Sequence, residues 1–168
     1  MSLWVNEIFA SIQGESSHAG RPCVFIRLTG CNLRCSYCDT PYAYAEGVWR
    51  EIGEIEQEVR SFGMHLVEVT GGEPLLQPET PELVRRLLDG GSLVLLETNG
   101  SLDIGVVDPR CRRIVDVKCP SSGEAARTRL ENLGLVTPND EVKFVIAGRE
   151  DFDYAREVIA GRLRRRDL

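Results

Sequence analysis

Three cysteines, Cys31, Cys35 and Cys38, lie within one short segment of the chain, residues 30–40. Cysteine thiolates are the usual ligands of iron–sulfur clusters, and a cubane cluster ordinarily takes four of them. The segment supplies three, so the spacing predicts a [4Fe–4S] cluster with one iron left open to a ligand that is not protein. An open iron on a reducible cluster is a place where chemistry can occur.

Structural zinc is the alternative for these cysteines. Zinc takes four nitrogen or sulfur ligands in closed tetrahedral geometry, usually from two short cysteine pairs. Here the three cysteines form one group, which favours the cluster and leaves zinc open. A disulfide framework is less favoured, because closely spaced cysteines on one loop bridge poorly. The fourth zinc ligand would have to come from a distant residue: Cys23, Cys111, Cys119, His18 or His65. Small core thiols are the default interpretation of the three remaining cysteines.

Length and composition predict one domain spanning residues 1–168. Hydrophobic residues make up 42% of the chain and charged residues 27%, as in ordinary globular proteins. We find no apolar run of the roughly 20 residues that a membrane span needs and no signal peptide, so we expect a cytoplasmic protein without membrane association. A net charge of −6 argues against a nucleic-acid partner.

Short apolar strands alternate with amphipathic helices along the chain. The predicted strands are residues 5–9, 22–28, 65–69, 93–97, 113–117 and 141–146. The predicted helices cover residues 52–62, a segment starting near Pro81 with Thr80 as its cap, residues 121–133 behind a capping-box pattern, and residues 151 to about 165.

This alternation implies an α/β fold with a parallel sheet and right-handed crossovers. About six strands are too few for a closed eight-stranded barrel, so we expect an open, partial (β/α) barrel of mostly parallel strands. Reaction sites in such sheets form at the carboxyl ends of the strands.

Polar and glycine-rich residues follow several predicted strands at that end. Each group has an ordinary explanation as a turn or as surface, but their joint placement predicts one shared pocket. The groups are the cysteine segment after Leu28, Thr70-Gly71-Gly72-Glu73-Pro74 after Val69, Glu97-Thr98-Asn99-Gly100 after Leu96, and Lys118 after Val117.

Four of these residues have candidate roles. The Gly71-Gly72 backbone is open enough for a ligand with an amine and a carboxylate to lie along it. Glu73 is placed to accept a hydrogen bond from that amine, or alternatively to begin a turn. The Thr40 hydroxyl either caps a turn or binds a hard cation such as magnesium together with waters.

Arg27 lies inside an apolar strand, on the face shared by Phe25. A guanidinium there is costly unless it is paired, and its planar fork suits a carboxylate. The partner is either a protein acid such as Glu15 or the carboxylate of a substrate. We favour a substrate, because Gln13-Gly14-Glu15 lies just before this strand and offers complementary polar groups.

These segments resemble the radical S-adenosylmethionine (SAM) superfamily and, within it, the 7-carboxy-7-deazaguanine synthase family. The Cys31-x3-Cys35-x2-Cys38 spacing with Tyr37, and the glycine-rich Gly71-Gly72-Glu73-Pro74, are typical of the superfamily. The narrower resemblance covers residues 7–101 and continues at Asp116-Val117-Lys118. Its other motifs are Glu7-Ile8-Phe9, Gln13-Gly14-Glu15, Gly20-Arg21-Pro22, Phe25-x-Arg27, Gly30-Cys31-Asn32-Leu33, Cys38-Asp39-Thr40, Thr70 to Pro74 and Glu97-Thr98-Asn99-Gly100-Ser101.

The resemblance implies an enzyme that converts 6-carboxy-5,6,7,8-tetrahydropterin to 7-carboxy-7-deazaguanine with loss of ammonia, through a 5′-deoxyadenosyl radical, in queuosine and 7-deazapurine biosynthesis. Its implied cofactors are a [4Fe–4S] cluster, SAM and Mg²⁺. The implied site residues are Cys31, Cys35 and Cys38 for the cluster, Tyr37, Cys38, Asp39 and Gly72 for SAM, Ile12, Gln13, Gly14, Arg27 and Thr70 for the pterin, and Thr40 for magnesium.

The resemblance also implies a homodimer and an electron donor such as flavodoxin or ferredoxin. Family members run some tens of residues longer and end in a strand-and-helix segment, so we expect residues 1–168 to lack that C-terminal part. Two other functions remain open. One is a glycyl-radical-enzyme activase of the same superfamily, and the other is a non-enzymatic zinc or iron–sulfur binding module.

Overall fold

The computed structural model describes residues 1–163 and is built around one seven-stranded sheet in the order β3-β1-β2-β4-β5-β6-β7. The strands are β1 Ser2–Ile12, β2 Pro22–Leu28, β3 Val48–Glu51, β4 Leu66–Gly71, β5 Leu93–Thr98, β6 Arg112–Asp116 and β7 Glu141–Lys143. The helices are α1 Ile52–Ser61, α2 Thr80–Asp89 and α3 Arg149–Val158, and a π-helical turn, Ile159–Leu163, continues α3.

Five strands, β2 and β4 to β7, run parallel to one another, whereas β1 is antiparallel to β2 and β3 is antiparallel to β1. The sheet stays open, with β3 and β7 at its two edges. The open α/β architecture is therefore confirmed, with one strand more than expected. The additional strand, β3, has no buried face: Val48 and Trp49 are 62% and 68% exposed, so its sequence lacks the apolar pattern of an inner strand.

Helices α1 and α2 form because apolar side chains recur along one face of each. Ile52, Ile55 and Val59 of α1 are buried, as are Leu83, Val84 and Leu87 of α2. Both faces pack with the apolar side chains of β2, β4 and β5 into the largest core cluster. This packing fixes the carboxyl ends of those strands. Within residues 1–163, no helix is long and apolar enough to cross a membrane.

The prediction of one continuous helix over residues 121–133 is wrong. Three short 3₁₀ helices, Pro120–Ser122, Ala125–Arg127 and Leu130–Gly134, take its place. Gly123 adopts a left-handed conformation, with φ of 75°, which interrupts any helix at that point. The Glu124 carboxylate, expected to complete a capping box, instead accepts a 2.7 Å hydrogen bond from the Arg34 backbone N–H.

Other boundaries shift by a few residues. Strand β7 ends at Lys143 rather than at Ile146. Thr80 is the first residue of α2 and not its cap; its hydroxyl donates a 2.6 Å hydrogen bond to the Pro74 carbonyl oxygen. The final helix begins at Arg149 rather than 151, and its expected end near Arg165 lies outside the described residues.

Candidate active site

A cavity of about 810 Å³ opens at the carboxyl ends of the parallel strands, within the size range of small-molecule sites. The cysteine segment lies on one side, and residues from β2, β4, β5, β6 and β7 line the rest. The shared pocket expected from the sequence is therefore present. The expected site residues that line it are Gln13, Gly14, Arg27, Cys31, Cys35, Tyr37, Cys38, Asp39, Thr40, Thr70 and Gly72.

Neighbouring turns hold the cysteine segment in shape. The Ser36 backbone N–H donates a 3.0 Å hydrogen bond to the Ser122 carbonyl, and the Ser36 hydroxyl donates to the Ser121 carbonyl at 2.7 Å. Leu33, 1% exposed, anchors the segment in the interior. The three cysteines themselves are free, partly buried thiols. The segment thus presents its thiols to the cavity without being part of a helix or strand.

Gly71 and Gly72 bring a second loop against the cysteine segment. The Gly72 N–H donates to the Leu28 carbonyl at 3.1 Å, and the Glu73 N–H donates to the Gly30 carbonyl at 2.8 Å. A Cβ at position 72 would collide with the Gly30 carbonyl and lie 2.8 Å from Cβ of Cys31. Glycine is therefore required for close backbone packing as well as for an open cavity wall.

Glu73 does not face the cavity, so its expected contact with a ligand amine is wrong. Its side chain is fully buried and accepts hydrogen bonds from the Thr98 hydroxyl at 2.8 Å, the Asn99 N–H at 2.7 Å and the Leu75 N–H at 3.0 Å. Burial raises the pKa of Glu73, and these donors oppose that rise. The alternative of a turn-initiating residue is confirmed. The carboxylate also joins the loops after β4 and β5.

Asn99 carries this connection to the cysteine segment. Its side-chain amide donates to Asn32 Oδ1 at 3.0 Å and lies 3.8 Å from Cys31 Sγ. Burial raises the pKa of the Cys31 thiol, and the Leu33 N–H and Asn99 partly oppose it. Burial likewise raises the pKa of Cys35, with Lys118 opposing. A bound metal would deprotonate such thiols outright.

Two buried polar atoms beside these thiols lack hydrogen-bond partners within residues 1–163, and they test whether the pocket suits a bound group. They are the Tyr37 hydroxyl and Asp116 Oδ1, and both residues line the cavity. Buried polar atoms in native proteins are nearly always satisfied, so these two fit a pocket that closes around a polar ligand. Together with the three thiols they fit a [4Fe–4S] cluster and SAM.

Structural zinc would need a fourth ligand besides the three cysteines, which are not among any preassembled metal-binding group in the described part of the chain. Three of the five candidate fourth ligands are engaged elsewhere. Cys23 and Cys111 lie in the apolar core, and the His18 ring contacts Arg21 at 2.6 Å and Arg112 at 3.2 Å.

Arg27 lines the cavity but has a protein partner. Its Nε–H donates a 2.7 Å hydrogen bond to Glu7 on β1, and its guanidinium lies 5.8 Å from the ring centre of Phe9. The open choice between a protein acid and a substrate is therefore settled for Nε, with Glu7 in place of Glu15. A guanidinium has four further N–H donors, so pairing with Glu7 leaves capacity for a ligand carboxylate.

Thr40 lies at the cavity as expected, whereas Ile12 does not. Ile12 is 64% exposed at the end of β1 and is not among the cavity-lining residues. The Thr40 side chain does not cap the 3₁₀ helix that follows it; its hydroxyl lies 3.9 Å from Cys38 Sγ at the cavity. The turn-capping alternative for Thr40 is therefore wrong.

Sequence reasoning missed four charged residues of the cavity wall: Glu68, Asp116 as a side chain, Glu141 and Lys143. Lys143 Nζ lies 2.8 Å from Glu97 Oε1, and Lys118 Nζ lies 2.5 Å from Asp116 Oδ2. Burial lowers the pKa of Lys118, but Asp116 outweighs it and the net pKa is raised. The signal was available, since Glu68 is a charged residue inside an apolar strand, as Arg27 is.

Comparisons with known proteins agree with this geometry. The model of the radical SAM superfamily matches residues 25–161. The 7-carboxy-7-deazaguanine synthase of Koribacter versatilis is 49% identical over 157 residues, covering 92% of this chain and 70% of that protein. The synthase of Chlorobaculum tepidum is 48% identical over 162 residues, covering 95% and 74%.

A solved structure supports the fold. The crystal structure of QueE from Escherichia coli superposes with a TM-score of 0.77 at 21% identity, covering 99% of this chain and 80% of that one. The sequence similarity, the cysteine spacing and the cavity lead to the same assignment. This chain belongs to the radical SAM superfamily and, within it, to the 7-carboxy-7-deazaguanine synthase family.

Proposed function

We propose that this chain is an enzyme of queuosine and 7-deazapurine biosynthesis that converts 6-carboxy-5,6,7,8-tetrahydropterin to 7-carboxy-7-deazaguanine with loss of ammonia. One observation carries the proposal. A single cavity has a three-cysteine segment on one side and the guanidinium of Arg27 with the charged groups of β4 to β7 on the other. A cofactor and a polar substrate can therefore meet inside it.

The cofactor side is formed by the cysteine segment. Cys31, Cys35 and Cys38 would hold three irons of a [4Fe–4S] cluster, leaving the fourth for the amino and carboxylate groups of SAM. Tyr37, Asp39 and Gly72 line the adjoining wall, where SAM would lie. When bound, the reduced cluster and SAM supply one-electron cleavage of the sulfonium and removal of a hydrogen atom from the substrate.

The substrate side uses groups that are already oriented. Arg27 is fixed by Glu7 and by the aromatic ring of Phe9, so its remaining N–H groups can hold a substrate carboxylate with little loss of side-chain entropy. Thr70 and Gln13 line the same wall, and both are nearly buried. These residues bind and orient the pterin while the surrounding loops limit access of water.

Magnesium, the assembly and the cellular setting are further parts of the proposal. Thr40 at the cavity mouth offers a hydroxyl to a magnesium ion that also keeps several waters. We place the enzyme in the cytoplasm as a homodimer with a flavodoxin or ferredoxin as electron donor, a setting that suits free cysteines and an oxygen-sensitive cluster. Residues 1–168 act as one radical SAM domain.

Product analysis tests the activity. Anaerobically reconstituted, reduced protein given SAM and the carboxy-tetrahydropterin should form 7-carboxy-7-deazaguanine only when SAM is present, with higher turnover when Mg²⁺ is added. Cys35→Ala should abolish both SAM cleavage and product. Cys111→Ala, the same change at a buried core thiol, should retain both. Unchanged SAM cleavage by Cys35→Ala would contradict the proposal.

Arg27→Ala separates substrate binding from SAM cleavage. We expect its pterin KM to rise at least tenfold, the scale of a lost charge-assisted hydrogen bond, while slow uncoupled cleavage of SAM continues. Arg27→Lys is the matched control, because it keeps the charge but loses the planar fork. Its pterin KM should lie between those of the wild type and Arg27→Ala. Equal pterin KM in the wild type and Arg27→Ala would remove Arg27 from the substrate site.

A further inference from the structure

One ammonium group lies among three carboxyl groups in the wall of the cavity and pairs with two of them. Lys143 on β7 forms ion pairs with Glu15 and with Glu97, the latter at 2.8 Å. Glu68 on β4 completes the set. The Glu15 side chain is 62% exposed, so water can solvate it, whereas Glu97 has Lys143 beside it. Glu68 is 3% exposed, so neither water nor an adjacent ammonium group stabilises a charge on it.

The groups that face Glu68 come from every element around it. Gln13, just after β1, donates from its amide Nε2 to Glu68 Oε2. Cys23 on β2 is a buried thiol whose pKa burial raises to about 12, so it is uncharged. Glu97 lies on the adjacent strand β5, two residues beyond Leu95, the register partner of Glu68, and so on the same face of the sheet. Lys143 on β7 supplies a more distant positive charge. The hydrogen bond that the structure gives Glu68 thus comes from a neutral amide.

The orientation of Gln13 limits what Glu68 can do. Gln13 Oε1 accepts a 2.9 Å hydrogen bond from the Glu15 backbone N–H, so its Nε2 must point to Glu68. One Glu68 oxygen is therefore an acceptor. The other can carry a proton and donate it to Glu97, whose two oxygens have spare acceptor capacity beyond Lys143 and the Thr70 hydroxyl at 3.4 Å.

We propose that Glu68 is held as a neutral carboxylic acid that donates a hydrogen bond to the Glu97 carboxylate. The two carboxyl groups then share one proton and position Gln13 and Glu97 at the cavity wall. Glu68 is therefore a positioning residue, because it holds Gln13 and Glu97 in place. Its role in pterin binding rests on the proposed function. The shared proton itself does not depend on which substrate the cavity takes.

The physical reason is that two adjacent buried carboxyl groups cannot both ionise cheaply. Burial first, and then the charge of Glu97, raises the pKa of Glu68 to about 8. Below that pH the pair carries one negative charge, which matches Lys143. Above it the proton is lost, the carboxylates repel each other, and Glu97 and Gln13 are no longer held in place.

Infrared spectroscopy of the reconstituted holoprotein tests the protonation state directly. The wild type at pH 7 should show the C=O stretch of a protonated carboxyl group, and the band should disappear with a midpoint near pH 8. Glu68→Gln should lack the band, whereas Glu15→Gln, the same change at an exposed neighbour, should keep it. Because Glu73 and Asp116 are also buried carboxyl groups, the band is read from the difference between the wild-type and Glu68→Gln spectra. A difference spectrum at pH 7 without a C=O band would overturn the proposal.

Pterin affinity tests the positioning role. A glutamine amide can donate to Glu97 as the neutral acid does, so Glu68→Gln should bind the carboxy-tetrahydropterin within about twofold of the wild type at pH 7. Wild-type affinity should fall about tenfold from pH 7 to pH 9 as the proton-bearing fraction falls, and Glu68→Gln should not follow it. A tenfold loss in Glu68→Gln at pH 7 would contradict the role. An infrared band without product formation would sink the proposed function alone.

Discussion

There is no space for a methyl group at position 72, where the backbone packs directly against the cysteine segment. The Cβ of alanine there would overlap the Gly30 carbonyl and crowd Cys31. We expect Gly72→Ala to lower the free energy of unfolding by about 1–3 kcal/mol, as overpacking does, and to reduce the iron bound on reconstitution. Thermal unfolding and iron analysis measure the two effects.

Gly53 provides the control for that change. It lies in the first turn of α1, where an added Cβ would meet no atom within 4 Å, and alanine is the better helix former by about 1 kcal/mol. Gly53→Ala should keep full iron content and unfold at the same or a higher temperature. Equal iron content in Gly72→Ala and Gly53→Ala would show that the loop tolerates displacement.

At the level of residues, the cysteines, Arg27 and the glycine pair could be predicted, because each is an unusual residue type for its local setting. Glu68 carried the same kind of signal and was overlooked. The direction of the Glu73 side chain could not be predicted. It depends on Thr98 and Asn99, which the fold brings to it from another strand.

A single side chain at the start of α3 supports the turn behind the cysteine segment. Asp151, 1% exposed, accepts hydrogen bonds from the Ser121 N–H at 2.9 Å and the Ser121 hydroxyl at 2.5 Å. The Ser121 and Ser122 carbonyls in turn accept from Ser36. We expect Asp151→Asn to lower the unfolding temperature and to speed loss of the cluster. The rate of cluster loss is measured by the decrease in cluster absorbance after a chelator is added.

The charge of Asp151 also gives this prediction a pH dependence. Hydrogen bonds from Ser121 lower the pKa of Asp151 below its usual 3.8. Its stabilising effect is therefore fully present above pH 3.8 and is lost as the pH falls through the lower folded-state pKa. Asp153→Asn, at a more exposed carboxylate of the same helix, is the control. Equal rates of cluster loss in Asp151→Asn and Asp153→Asn would show that Asp151 does not stabilise the cysteine segment.

At the level of elements, six of the seven strands and helices α1 to α3 follow from local apolar periodicity. The structure of residues 120–134 could not be predicted in this way, because the side chains of its capping-box pattern form hydrogen bonds outside the predicted helix. The Glu124 carboxylate accepts from the Arg34 backbone N–H, and the Ser121 hydroxyl donates to Asp151; both partners are distant in sequence. The exposed edge strand β3 was missed for the same reason, since only its pairing with β1 defines it.

At the level of the whole molecule, we expect the bound cofactors to stabilise the protein unevenly. The parallel strands are paired with one another and pack into the core, whereas residues 30–40 rely on hydrogen bonds from neighbouring turns. Hydrogen–deuterium exchange should slow most in residues 30–40 and 120–124 when the cluster and SAM bind. The same slowing in β4 and β5 would show that the cofactors stabilise the fold as a whole.

The shared direction of the parallel strands has a practical consequence for handling the enzyme. Turns that precede β4 and β5, at Gly63 and Gly91, are exposed and lie at the opposite rim of the sheet, about 20 Å from the cavity by the length of a six-residue strand. A peptide tag or fluorophore inserted after Gly91 should leave catalysis intact. Surface immobilisation through this rim would leave the cavity mouth open to solution.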